Sequence, residues 1–110
     1  MPTTYKVLGQ SAPAATTNTN LYSVPAATSA VISTIVVANR VGTSATYRIA
    51  IRPAGAAIAN EHYIAYDVII GAADSTTLTL GITLAATDVI TIYASTANLS
   101  FSVFGSEITS

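Results

Sequence analysis

Apolar and small polar residues alternate along most of this chain, and a period of two is the one thing a helix cannot use, because successive strand side chains point to opposite faces. Thr46 to Arg52 is the cleanest case: Tyr47, Ile49 and Ile51 fall on one side, Thr46, Arg48, Ala50 and Arg52 on the other. The apolar positions are mostly β-branched, and the Glu-, Lys- and Leu-rich surfaces of stable helices are missing.

Read along the chain, Tyr5 to Gln10 is a short opening strand, and the polar stretch through about Asn18 has no period and reads as an extended arm able to cross onto a neighbour. Residues 1–20 are thus an opening strand and arm, and residues 21–110 the body of a single domain. Leu21 to Val24 stops at Pro25, which cannot donate a ladder hydrogen bond. Ala30 to Arg40 is the most apolar strand, with Val31, Ile35 and Val37 on one side and Ile32, Val36 and Ala38 on the other, so both faces are expected to be buried. Turn residues around Gly42 then join it to Thr46–Arg52 as a hairpin, closed by Pro53, Ala54 and Gly55. Ala56 to Asn60 is the one stretch suited to a short helical turn.

His62 to Ile70 is the next strand, followed by a regular run from Ser75 that aligns Leu78, Leu80, Ile82 and Leu84, with a bend at Gly81. Asp88–Ala94 and Leu99–Phe104 complete about eight strands at the spacing of a sandwich. The expected fold is all-β: two packed antiparallel sheets with either jelly-roll or immunoglobulin-like connections.

At 110 residues the chain can bury one core. Charged residues make up 8% of it, against about 25% in ordinary domains, and the net charge is −1. A surface of Thr, Ser, Asn and Ala near zero net charge favours association, so a homo-oligomer is expected in preference to a monomer coated by small neutral residues. Lys6, Arg40, Arg48 and Arg52 are its only Lys or Arg residues, too few to build the basic field that nucleic acid requires. The chain has no cysteine, which removes disulfides and thiolate metal sites. Val24–Ala38 falls short of the roughly 20 apolar residues of a spanning helix, and the paired aromatic girdles of a membrane barrel are missing; the amino-terminal residues do not have the pattern of a secretory signal. No membrane insertion is expected.

His62 is the single histidine, and with no carboxylates clustered beside it by spacing it is expected to be structural or to lie at an interface. Asp74 and Asp88 fall at turns, where Asp accepts backbone hydrogen bonds. Neither a catalytic constellation nor a cofactor motif is legible, so the chain is expected not to be an enzyme and to carry no cofactor. Arg48 and Arg52 share the outward face of one strand, either as solvated charges or as anchors to a neighbouring subunit. Tyr63 is expected to point opposite to His62 and Tyr66, and to be exposed. Arg48, Arg52, His62 and Tyr63 are therefore the candidate interface residues.

The segment Leu21–Thr28 leading into Ala30–Asn39, with Ala45–Pro53, Leu78–Gly81 and Asp88–Ser95, resembles the strand pattern of small structural proteins of tailed bacteriophages over most of the chain. That resemblance implies a virion component on a β-sandwich scaffold, assembled in the host cytoplasm, with no catalytic residues to carry over. Its expected partners are major capsid or tail proteins and copies of itself, a trimer being favoured. A capsid decoration or cement protein is the leading expectation, and a tail-fibre or baseplate module that contacts the host through Asn39–Ser44 and Ser95–Asn98 is the alternative.

Overall fold

The computed structural model describes residues 3–79 and 81–109 and is all-β, with two antiparallel sheets. Among the described residues nine strands run in chain order: β1 (Thr3–Ser11), β2 (Thr19–Ser23), β3 (Thr28–Asn39), β4 (Ala45–Arg52), β5 (Tyr63–Ile70), β6 (Ser75–Leu78), β7 (Ile82–Leu84), β8 (Val89–Ala94) and β9 (Leu99–Thr109). One sheet has the order β1-β9-β3-β6, with β7 also on β3; the other has the order β2-β8-β4-β5. No helix among the described residues is long and apolar enough to cross a membrane.

The two sheets face each other through Ile32, Ile35 and Val37 of β3, Tyr47 and Ile49 of β4, Ile90 and Ile92 of β8, and Phe101 and Val103 of β9, all essentially inaccessible to water. Removing a side chain such as Ile35 from water stabilises the fold by about 1.5–3 kcal/mol, so these rows dominate the favourable side. Tyr47 and Phe101 meet across the core edge to face, with ring centroids 6.2 Å apart.

Several expectations are revised. The regular run from Ser75 is interrupted, giving β6 and β7 separately, both on β3; Leu80, expected in that row, lies outside the described residues. β3 and β4 do not form a hairpin. They belong to different sheets, because each has one apolar face and both faces turn to the same core, so the loop between them arches from one sheet to the other. Asn39 holds that arch: its amide donates to the carbonyls of Thr43 at 2.7 Å and Gly71 at 3.1 Å.

β3 is not buried on both faces. Its register against β9 shifts between Ile32 and Thr34, so Ser33 is an extra residue and the alternation changes phase there. Ala30 and Ile32 point inward before the bulge and Ile35 and Val37 after it, while Val31 is left exposed. β1 bulges at the same level, between Val7 and Gly9, on the other flank of β9. The two bulges accompany close backbone approaches: a Cβ on Gly105 would run into the Val31 carbonyl, and one on Gly9 into the Leu21 carbonyl.

The opening strand expected over Tyr5–Gln10 forms and is longer, Thr3–Ser11, whereas the segment after it differs from expectation. β1 pairs with β9 along its whole length, and the segment expected as an extended arm able to cross onto a neighbour folds back onto its own chain, where Pro13 is buried and the Thr16 amide donates to the Ala94 carbonyl at 2.8 Å.

Candidate functional site

Arg48 is the centre of the most organised surface cluster. It sits on the outer face of β4, directly opposite Tyr93 of β8, and its guanidinium lies 4.2 Å from the ring centroids of both Tyr93 and Tyr66. Its Nε and Nη2 donate to the two carboxylate oxygens of Asp67, at 2.7 and 3.3 Å. The Asp67 hydrogen bond raises the guanidinium's proton affinity further, so this cation is permanent.

A double irregularity in β5 builds the cluster. The β4–β5 register shifts twice, between Tyr47 and Ile49 and between Ile49 and Ala50, and Asp67 adopts a left-handed conformation with φ 51°. Asp is among the few residues that accept this conformation. The bulge brings both Tyr66 and Asp67 against the Arg48 head. It also corrects the expected direction of Tyr63, whose ring meets that of Tyr66 edge to face at 4.8 Å and so lies with it.

Arg52, on the same outer face, is bound within its own chain. Nε donates to Thr91 Oγ1 at 2.9 Å, Nη2 to Asn20 Oδ1 at 3.0 Å, and Nη1 to the carbonyls of Gly55 and Ala56 at 3.3 and 3.0 Å. His62 is not in a strand. It ends a single 3-10 turn, Asn60–His62, where its Nδ1 accepts the Ala59 amide at 3.1 Å. The four candidate residues therefore share the region of β4 and β5, and Arg48 and Tyr63 belong to one aromatic cluster. Asp88 behaves as its turn position implied, accepting the amides of Ala54 and Ala85 at 2.8 and 2.9 Å.

Two features escaped sequence reasoning. The first is a polar tie between the sheets: Tyr22 of β2 donates to Glu107 Oε2 at 2.5 Å, and Lys6 of β1 stands 3.0 Å from Glu107 Oε1. The Tyr22 hydrogen bond, then Lys6, hold the Glu107 carboxyl below its ordinary range, while burial and then Glu107 push the Tyr22 phenol well above its own. The second is apolar exposure at two sheet edges. Tyr5 is 84% exposed and Val7 48% on β1; Ile69 is 74% and Tyr66 56% on β5. Beside Tyr5 lies an open groove of about 430 Å³, walled by Tyr5, Val31 and Phe104 over Gly105 and Ser106.

Among the described residues, His, Cys, Asp and Glu side chains form no group of three or more suited to a metal ion. Compared with protein families, characterised proteins and solved structures, the chain matches none.

Proposed function

We propose that this chain is a non-catalytic structural component of a bacteriophage virion, a capsid decoration or cement protein that bridges its neighbours in the particle. The observation that carries the reading is the pair of apolar, exposed strand edges. β1 and β2 touch at one side of the sandwich, and β5 ends its sheet on the side away from β2, so Tyr5 and Val7 face one way and Ile64, Tyr66 and Ile69 the other. A bivalent block of this kind ties subunits together, and apolar exposure of this extent marks contact surface.

Strand order supports the same reading. Counting β6 and β7 as one interrupted strand on β3, the sheets read first-eighth-third-sixth and second-seventh-fourth-fifth, an order that supports reading the connections as those of a jelly roll, an architecture used by viral capsid and lectin domains. This support is by analogy of fold. The test is mass spectrometry of purified particles of the phage that encodes the chain. Many copies per particle, and particles that lose heat resistance when the gene is deleted, are expected; absence from purified particles overturns the reading.

One observation favours a tail-fibre or baseplate adaptor instead. The loops after β3 and β8 are joined, the Arg40 amide donating to the Asn98 carbonyl at 3.0 Å and Arg40 Nη2 to the Ala97 carbonyl at 2.7 Å, so they present one combined surface. Substitutions there that abolish host attachment and leave particles intact would select this second reading.

A further inference from the structure

The strands at the sheet ends are not equally able to accept another strand. β5 is interrupted by two register shifts and the left-handed Asp67, and β2 shifts between Asn20 and Tyr22. β6 and β7 are 4 and 3 residues long. Bulges and short strands are how sheet edges are kept from pairing. β1 differs: from Thr3 to Val7 its ladder with β9 runs without a shift, and among the described residues no strand pairs with its outward edge.

We infer that β1 pairs antiparallel with β1 of a second copy of this chain, around a two-fold axis at Tyr5, joining the two β1-β9-β3-β6 sheets into one. The inference specifies the self-association on which the assembly reading above relies. About that axis Tyr5 meets Tyr5, Thr3 meets Val7, and Thr4 meets Lys6 of the other copy. An isologous contact requires such self-complementarity, and no like charges meet in it. Lys6, the one charge in the stretch, lies on the inner face and is neutralised by Glu107 of its own chain at 3.0 Å. Thr3, Tyr5 and Val7 share the outer face, where Tyr5 already walls one side of the apolar groove and has no cover toward the open edge. An aromatic pair directly across two strands supplies that cover.

Light scattering on the purified full chain, with single substitutions, tests this. The wild type is expected at twice 11.2 kDa, and Tyr5→Lys at 11.2 kDa with an unchanged circular dichroism spectrum, while Ile69→Lys on β5 leaves the dimer intact. Because the chain has no cysteine, Tyr5→Cys provides a clean second readout: mild oxidation is expected to cross-link it to a dimer, and Ile69→Cys is not. A wild-type monomer, a trimer, or a dimer indifferent to Tyr5→Lys overturns the pairing. Particle mass spectrometry remains separate, since a chain missing from particles overturns the virion reading without touching a β1 dimer.

Discussion

The hydroxyl of Tyr22 donates to the carboxylate of Glu107 at 2.5 Å, and with that bond the second strand of the chain is tied to the last across the gap between the sheets. Both groups are shifted in the direction that favours neutral phenol and ionised carboxylate, so the bond carries a pH signature.

Glu107 is held below its ordinary pKa of 4.5, and its contribution to stability is present above that value and lost as the pH falls through and below it. Tyr22 is raised above its ordinary 10.0, so its contribution holds below pH 10 and disappears at higher pH. Urea denaturation is expected to show Tyr22→Phe about 1.5–3 kcal/mol less stable at pH 7, the range of a hydrogen bond to a charged group. Glu107→Gln is expected to flatten the loss of stability below pH 4.5; an unaltered acid limb would contradict the assignment.

Arg48 should act mainly through its stacked position. Asp67 has a side chain 47% exposed, so the ion pair itself is screened and worth less than about 1 kcal/mol. Arg48→Lys keeps the charge but loses the planar group between Tyr66 and Tyr93, and is expected to lose nearly as much stability as Arg48→Ala. Asp67→Asn is expected to lose less than either, and 1 M salt to change the Arg48→Ala difference little. Chemical denaturation of the three variants checks the order.

Gly105→Ala is expected to cost about 3 kcal/mol, the upper end of overpacking, or to prevent folding, because the added methyl meets the Val31 carbonyl and neither backbone can move without breaking the β3–β9 ladder. Gly42→Ala, with no atom within 4 Å of the new methyl, is expected to be nearly neutral. Comparable losses at both positions would contradict the close approach.

Phe101→Ala is expected to cost about 3–5 kcal/mol, since the ring is fully buried against Tyr47 and the two sheets cannot collapse onto the cavity. Thermal denaturation followed by near-ultraviolet circular dichroism reads this directly. The expected loss of Tyr47 signal in the folded variant reports that the cavity lies beside that ring.

The same structure changes how the amino-terminal segment is best probed. Deleting residues 1–20 would remove all of β1 and the first residues of β2, and with them Lys6 and the cover over β9, so a truncated chain reports on folding and not on an arm. Point substitutions on Thr3–Val7 avoid that confusion.

The strand character of Thr46–Arg52 was legible from residues alone, because side-chain alternation is a local property and Tyr47 and Ile49 had only one common face to occupy. Asp88 could likewise be read as a turn residue, since the Ala85 amide it accepts is three residues away, whereas its bond from the Ala54 amide, 34 residues away, was set by the fold. Pairing and phase were decided elsewhere. That β3 and β4 separate into two sheets depends on which distant strands, β9 and β8, lie beside them. The inward turn of Ile32 and the grouping of Tyr63 with Tyr66 depend on bulges at Ser33 and around Asp67, where one extra residue reverses every later side chain. The sequence by itself determined that this chain makes strands around one apolar core, because period and composition act residue by residue. Only the tertiary structure decided which faces stayed open, because a bulge and its consequences arise from the backbone of the strand alongside.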